Sequence, residues 1–157
     1  MVEKIKTIRY FEYESAAELP QADRELFCQA VEALKGSYAP YSGFNVGAAV
    51  RLSGGTVVRG SNQENSAYPS GLCAERVCMF SAGASHPDKA IEAIAVVASQ
   101  GGRLQPAPSY PCGACLQVMA QFETKFGNHM RIIIGSGGAV QVFEGVASMM
   151  PFIFTDI

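Results

Sequence analysis

Two short stretches decide the fold and chemistry of this chain: Cys73-Ala-Glu at residues 73–75 and Pro111-Cys-Gly-Ala-Cys at residues 111–115. A Cys-x-x-Cys pair alone is common and is a weak signal. A third cysteine, followed two residues later by a carboxylate, indicates a catalytic zinc site. Structural zinc normally has four protein ligands, whereas catalytic zinc has three and leaves one position for water. The combined pattern therefore predicts a zinc enzyme.

The three cysteines and the glutamate have distinct expected roles. Cys73, Cys112 and Cys115 are predicted to bind one Zn²⁺, and Glu75 is predicted to lie beside the open position. A carboxylate in that place can take a proton from a metal-activated water and pass it to a substrate. An ordinary glutamate at a helix start is the simpler interpretation of Glu75, but three neighbouring ligands favour the catalytic one.

Charge balance singles out one further residue, Arg76. The cysteines follow loops and open helical stretches, where the helix dipole favours thiolates. Three thiolates on Zn²⁺ leave a net charge of about −1, which should make a bound water less acidic. Arg76 is expected to donate a hydrogen bond to a ligand sulfur and offset part of this charge. A solvent-exposed helix arginine is the alternative.

The composition limits the classes of function. The 157 residues, 48% hydrophobic and 17% charged, suit one globular domain. The chain has no apolar run of the roughly 20 residues that span a membrane and no apolar signal-peptide core, so a cytoplasmic protein without a membrane partner is expected. The net charge is −2 and no Lys/Arg-rich run is present, which argues against a nucleic acid polymer as partner. Cys28 and Cys78 are expected to be small buried hydrophobes.

The hydrophobic pattern predicts helices packed on a central sheet. A helix is expected around Phe27–Leu34, a second from Ala74 to Ala82, and a third from Cys112 to about Phe126. The near-continuous apolar run at 91–98 is typical of a strand buried on both faces. Residues 1–18 alternate loosely and are expected to be extended. Five strands are predicted in all: Val46–Leu52, Thr56–Gly60, Ile91–Ala98, Met130–Ile134 and Val140–Phe143.

The ordered motifs resemble the small, homotetrameric cytidine deaminases that use three cysteine ligands. The resemblance rests on Tyr38-Ala-Pro-Tyr-Ser-Gly-Phe-Asn-Val-Gly-Ala-Ala, Asn62-Gln-Glu-Asn, Cys73-Ala-Glu-Arg and Pro111-Cys-Gly-Ala-Cys-Leu-Gln. Met150-Pro-Phe-Ile-Phe resembles the family's tail. The same Cys-x-Glu and Pro-Cys-x-x-Cys pattern is the signature of zinc nucleobase deaminases. The resemblance implies a three-layer α/β/α sandwich around a five-stranded mixed sheet, covering residues 20–157 as one domain, with 1–19 as an extension of unknown role.

The resemblance also implies substrate-binding residues and an assembly. Asn62 and Glu64 would recognise the ribose, and Phe44 would pack against the pyrimidine. Ala74 would also contact the substrate. Tyr68 and Phe154 would reach a neighbouring subunit's site, which implies a homotetramer with shared active sites and one Zn²⁺ per subunit. Leu116 departs from the family, many members of which carry arginine there, and this departure puts more weight on Arg76.

The implied reaction is the zinc-dependent hydrolytic deamination of cytidine and deoxycytidine to uridine and deoxyuridine in pyrimidine salvage. Three alternatives stay open at the level of the sequence. The enzyme could deaminate another aminopyrimidine nucleoside, such as a nucleoside antibiotic. It could be a non-catalytic zinc-stabilised module, although such a module has no use for Glu75. A dithiol redox protein built on Cys112 and Cys115 is disfavoured by the third cysteine.

Overall fold

A mixed β-sheet with helices on both faces forms the centre of the molecule. The computed structural model describes residues 1–155. Its three helices are α1 Gln21–Ala33, α2 Ala74–Ser85 and α3 Gly113–Phe126. The seven strands of this part of the chain are β1 Tyr10–Tyr13, β2 Phe44–Leu52, β3 Val57–Ser61, β4 Ile91–Gln100, β5 Arg103–Leu104, β6 Arg131–Gly135 and β7 Val140–Glu144.

The sheet runs in the order β1-β7-β6-β4-β2-β3, and β5 pairs with β4 outside this path. β4 and β6 are parallel, and the other pairs are antiparallel. The parallel pair is joined by a crossover that contains α3, as parallel pairing requires. β2 and β3 form the predicted hairpin. The apolar run of the fourth strand is buried on both faces, because helices cover both sides of the sheet there.

The strand number differs from the prediction of five. The five predicted strands are present, with no end shifted by more than two residues. β1 adds an edge strand through antiparallel pairing with β7, in the register Tyr10 to Phe143 and Tyr13 to Val140. β5 adds a two-residue hairpin partner to the end of β4. Both additions depend on pairing with distant residues, which a short or loosely alternating stretch does not reveal in its own sequence.

Two hydrophobic cores confirm the three-layer α/β/α arrangement. α1 covers one face, where Leu26, Phe27 and Ala30 pack on residues of β4, β6 and β7. α2 and α3 cover the other face, where Met79 and Met119 lie in a larger apolar cluster. The two helices that begin at the cysteines therefore share one face of the sheet and can present their first turns to the same point.

Gly60 fixes the close approach of α2 to β3. A Cβ atom added at Gly60 would lie 2.5 Å from the backbone nitrogen of Cys78 and 2.8 Å from the backbone oxygen of Ala74. Real Cβ atoms do not approach backbone so closely, so only glycine allows this packing. The absence of a side chain at this one position thus sets the depth at which the first turn of α2, with its cysteine and glutamate, lies on the sheet.

The two cysteines outside the motifs have different environments. Cys78 is buried, as predicted. The prediction for Cys28 is wrong: it is exposed, because it lies on the outer side of α1 while Phe27 and Ala30 occupy the side that faces the sheet. Within residues 1–155, no helix combines the length and apolar character that a membrane crossing requires.

Candidate active site

Three cysteine sulfurs meet where α2 and α3 begin. Cys73 is the N-cap residue of α2, Cys112 is the N-cap residue of α3, and Cys115 lies in the first turn of α3. The Sγ atoms of Cys73 and Cys112 are 3.9 Å apart, and those of Cys112 and Cys115 are 3.5 Å apart. All three sulfurs lie within 4.8 Å of one another. We call this group the cysteine triangle.

The size of the cysteine triangle fits a zinc ion. A Zn–S bond of about 2.3 Å in tetrahedral geometry places two sulfurs about 3.8 Å apart. The two measured Sγ–Sγ distances lie on either side of that value. Cys115 is fully buried, Cys73 is half-buried and Cys112 is exposed. The triangle is therefore held by the protein on one side and open on the other, which is the arrangement of a three-ligand catalytic site.

Arg76 lies beside the triangle. Its Nη2 donates a hydrogen bond to Cys73 Sγ at 3.7 Å. The pKa of Cys73 is lowered to about 5 by the hydrogen bond from the Cys115 thiol and, further, by the Arg76 guanidinium, against the opposing effect of burial. The pKa of Cys115 is raised in turn, because its proton is held between the two sulfurs. The arginine thus stabilises negative charge on one of the three sulfurs.

Leu116, next to the last cysteine of the triangle, lies in an apolar environment. It is 8% exposed and belongs to the apolar core beneath α3. A leucine side chain adds apolar contact there and carries no charge of its own. Arg76 is consequently the cation that the structure places within hydrogen-bonding distance of a triangle sulfur.

Glu75 lies next to the triangle in the first turn of α2. It is only 4% exposed, yet it lines a cavity that opens to solvent. Burial is the main cause of its raised pKa, and the negative charge of Cys73 raises it further. Within residues 1–155 it forms no ion pair. A raised carboxyl pKa brings the group closer to neutrality, where it can both accept and donate a proton.

The cavity has a volume of about 700 Å³, within the range of small-molecule sites. Its walls come from the loop before β2, the loop between β3 and α2, the first turn of α2, and the loop before α3. The residues predicted for the site that line it are Phe44, Asn62, Glu64, Tyr68, Cys73, Glu75, Arg76 and Cys112. The structure therefore brings together most of the predicted substrate-facing residues around the cysteine triangle.

Most hydrogen-bonding groups of the Asn62 side chain are bonded within the protein. Its Oδ1 accepts hydrogen bonds from Val46 N at 2.8 Å and Ser37 Oγ at 2.5 Å, and its Nδ2 donates to Phe44 O at 2.9 Å. An amide group has two donor hydrogens and two acceptor lone pairs. One N–H of Asn62 is left for a ligand. The side chain also fixes the start of β2, which carries Phe44.

Glu64 is oriented by the loop before β2. Its carboxylate accepts hydrogen bonds from Tyr41 N at 2.9 Å, Ser42 N at 3.3 Å and the Ser42 hydroxyl. The Ser42 hydroxyl and then the Tyr41 amide are the main causes of its lowered pKa. The carboxylate is thus held ionised and in one orientation, with remaining lone pairs available to hydroxyl donors.

Two residues predicted for the substrate site do not line the cavity. Ala74 is fully buried in the core, so only its backbone could reach a ligand. Phe154 is 64% exposed and lies in the tail, whose position is fixed by a hydrogen bond from Gln117 Nε2 to Phe154 O at 2.7 Å. Whether either contacts a substrate stays a prediction.

Several residues that line the cavity had no role assigned from the sequence, among them Tyr41, Ser42 and Tyr110. Tyr41 and Ser42 hold Glu64, and the Tyr41 ring meets the Tyr68 ring edge-on at 6.1 Å between centroids. Tyr41 and Ser42 belong to the motif that begins at Tyr38, but the sequence alone did not indicate a role for either side chain. Tyr110, directly before the second cysteine motif, also lines the cavity. No motif marked it.

Comparison with known proteins identifies the relatives of this chain. The profile of the family described as "Cytidine and deoxycytidylate deaminase zinc-binding region" matches residues 20–127. A cytidine deaminase of Halalkalibacterium halodurans is 46% identical over 100 residues, which cover 63% of this chain and 71% of that protein. One of Sporosarcina psychrophila is 44% identical over 98 residues, covering 62% and 68%.

Solved structures show the same likeness in three dimensions. The crystal structure of cytidine deaminase from Burkholderia pseudomallei superposes with a TM-score of 0.69 at 36% sequence identity, over 83% of this chain and 97% of that one. The corresponding enzyme from Mycobacterium tuberculosis gives a TM-score of 0.65 at 29% identity, over 84% and 96%. Nearly the whole of each relative is covered, while about a sixth of this chain extends beyond the match.

Proposed function

The chain belongs to the family of zinc-dependent cytidine and deoxycytidylate deaminases, and on that premise we propose that it converts cytidine and deoxycytidine to uridine and deoxyuridine with release of ammonia. Family membership confirms the predictions of a hydrolytic deaminase and of a zinc cofactor. The observation that carries the assignment is the cysteine triangle beside the buried Glu75 in the wall of an open cavity.

The chain's own residues supply the binding and proton transfer that deamination requires. The cysteine triangle would hold the zinc ion, which when bound makes water a better nucleophile at neutral pH. Glu75 takes a proton from the attacking water and delivers it to the ring nitrogen of the pyrimidine. It then takes the proton of the new hydroxyl group on the ring carbon and gives it to the amine, so that the C–N bond breaks, ammonia leaves and the carbon becomes a carbonyl. Its burial keeps bulk water from competing for that proton. Arg76 stabilises the thiolate of Cys73 throughout.

Substrate recognition follows from the hydrogen-bonding groups left free in the cavity. Phe44 lines the cavity, and its ring would pack against the pyrimidine. The remaining N–H of Asn62 can donate to a ribose hydroxyl, and the remaining lone pairs of Glu64 can accept from one. Because Asn62 donates and Glu64 accepts, the two groups suit sugar hydroxyls, which can do both.

We further propose that the active form is a homotetramer with shared sites. Tyr68 is 77% exposed and Phe154 is 64% exposed, although both are large aromatic side chains. Aromatic side chains are enriched in protein–protein interfaces relative to the rest of the surface, so these two exposed rings suit a contact between subunits. In the assembly, Phe154 would contact the nucleoside in a neighbouring subunit's cavity.

A cytoplasmic role in pyrimidine salvage completes the proposal. Three thiol ligands suit a reducing compartment, since oxidation to a disulfide would remove them from the metal. The cavity holds no cluster of Lys and Arg side chains, because Arg76 is the one basic residue among those that line it. This favours an uncharged nucleoside over a nucleotide.

The test is the loss of ultraviolet absorbance that accompanies deamination, followed with cytidine, deoxycytidine, cytosine and CMP in parallel on zinc-loaded protein. Activity with the two nucleosides and little with cytosine or CMP is expected. A zinc-loaded protein that leaves all four unchanged, but deaminates another aminopyrimidine nucleoside, would support the antibiotic-type alternative instead. A protein inactive on every nucleoside would support the non-catalytic zinc module.

A further inference from the structure

Tyr110 forms part of the cavity wall beside the cysteine triangle. It lies in the loop before α3, two residues ahead of Cys112, and it lines the same cavity as Phe44 and Glu75. Its side chain is 59% exposed. An exposed tyrosine is normally free to change rotamer, so a fixed position of this ring at the cavity requires further contacts.

A chain of hydrogen bonds holds the ring. The hydroxyl of Tyr110 donates to Gln141 Oε1 at 2.7 Å, and Gln141 Nε2 donates to Glu12 Oε2 at 2.6 Å. Gln141 lies on β7 and is only 8% exposed. Glu12 lies on β1, directly opposite Gln141 in the antiparallel register. The pairing of β1 with β7 therefore places the carboxylate where it can orient the buried amide.

The chemistry of the chain fixes the direction of every bond. An ionised carboxylate can only accept, so the NH₂ of Gln141 must face Glu12 and its oxygen must face Tyr110. The Tyr110 hydroxyl is then the donor in its bond with Gln141, and its own lone pairs stay available. A ring fixed in this way loses little rotamer freedom when a ligand packs against it, which lowers the entropic cost of binding.

We propose that Tyr110 is a further nucleoside-contacting residue, and that Glu12 and Gln141 are positioning residues that hold its ring against the substrate. This inference rests on the proposed function. It also assigns a role to β1, which precedes the residues matched by the family profile. Glu12 on β1 supplies the carboxylate that accepts the hydrogen bond from Gln141. The N-terminal segment acts on substrate binding through Gln141 and Tyr110 and not by direct contact.

The kinetic consequences fall on KM. Tyr110→Ala removes the ring, and we expect KM for cytidine to rise about tenfold, which corresponds to about 1.4 kcal/mol, with kcat and zinc content close to wild type. Tyr110→Phe keeps the ring but loses the anchoring hydroxyl, and a rise of about threefold is expected. Glu12→Ala should give the same rise as Tyr110→Phe, because both free the ring. Glu14→Ala is the matched control on the same segment and should leave KM unchanged.

The double variant Glu12→Ala/Tyr110→Phe tests the connection itself. If Glu12 acts only through the tyrosine hydroxyl, the double variant has the KM of Tyr110→Phe alone, since coupled residues are non-additive. A KM that rises by the product of the two single effects would show that Glu12 acts independently and would overturn the positioning role. A general loss of stability would lower the unfolding midpoint and the active fraction without this pattern in KM.

Failure of the inference can be told apart from failure of the proposed function. An active wild type, together with an unchanged KM in both Tyr110→Ala and Tyr110→Phe, contradicts the role of Tyr110 alone. A wild type that does not deaminate cytidine or deoxycytidine contradicts the proposed function and the assignment of Tyr110 with it. Tyr110→Phe serves as the safeguard if Tyr110→Ala does not fold.

Discussion

Two buried carboxylates, one on each face of the sheet, have different environments and different roles. Asp23 on α1 is 3% exposed and pairs with Arg131 Nε at 2.7 Å, and Arg131 also pairs with Glu144. Glu75 on α2 is 4% exposed and has no ion-pair partner within residues 1–155. A carboxylate in an ion pair is stabilised in its charged form and does not readily take up a proton. An unpaired acid beside a cavity keeps a raised pKa and is available for proton transfer.

The largest expected effect is on the face that carries Glu75. Cys112→Ala removes one sulfur of the triangle, so the protein should lose zinc and all measurable deaminase activity, with some loss of stability because metal binding contributes to folding. Metal analysis of the purified protein measures this. Cys28→Ala, a cysteine on the opposite face, is the control and should keep one zinc per chain. Full zinc occupancy in Cys112→Ala would remove Cys112 from the ligand set.

A substitution on the opposite face of the sheet should lower the stability of the protein and leave its turnover number unchanged. Asp23→Ala leaves Arg131 with Glu144 alone, and we expect the free energy of unfolding to fall by about 2 kcal/mol. The turnover number of the folded protein should stay near wild type. Denaturant unfolding and steady-state kinetics measure the two quantities, with the exposed Glu25→Ala on the same helix as control. A large fall in kcat would mean that the two faces are not separated as described.

The tail tests whether the chemistry of the Glu75 face is completed by a second subunit. Phe154→Ala should raise KM several-fold, because an aromatic contact is worth about 0.5–1.5 kcal/mol beyond its area burial. Phe152→Ala, two residues earlier and 88% exposed, is the control. Mixing inactive Glu75→Gln subunits with inactive subunits that lack residues 151–157 should restore some activity. No recovery after verified subunit exchange would contradict shared sites.

The smallest expected effect concerns the charge beside the triangle. Arg76→Gln removes the guanidinium that lies 3.7 Å from Cys73 Sγ. Zinc should stay bound at saturating zinc, and the pH optimum should move upward because the thiolate charge is less well offset and the reacting water is harder to deprotonate. A pH–rate profile measures the shift, and a profile identical to wild type would argue that Arg76 has only a packing role.

The sequence predicted what depends on short-range spacing. Cys112-x-x-Cys115 spans one helical turn, so two sulfurs on one side of α3 follow from helix geometry alone. The apolar run of β4 and the hairpin of β2 and β3 are likewise local patterns. The meeting of Cys73 with the other two sulfurs was predicted from the zinc-ligand chemistry of the combined motifs, since helix geometry alone does not specify a contact across 39 residues.

What the sequence did not predict depends on tertiary pairing. β1 exists because β7 offers it an edge, and the loose alternation of residues 1–18 did not reveal that partner. Cys28 differs from its buried neighbour Phe27 by one helical position, which is enough to turn it to solvent. Tyr110 gained its place in the cavity wall through Gln141 and Glu12, which are 31 and 98 residues away.

The turnover number of zinc-loaded Glu75→Gln tests the central claim most directly. Glutamine keeps the size of the side chain but cannot carry the proton, so kcat for cytidine should fall by about 10²- to 10⁴-fold while one zinc per chain and the unfolding midpoint are retained. A variant that keeps more than about a tenth of the wild-type rate, a loss below about 1.4 kcal/mol in the barrier, would contradict the role of the unpaired carboxylate.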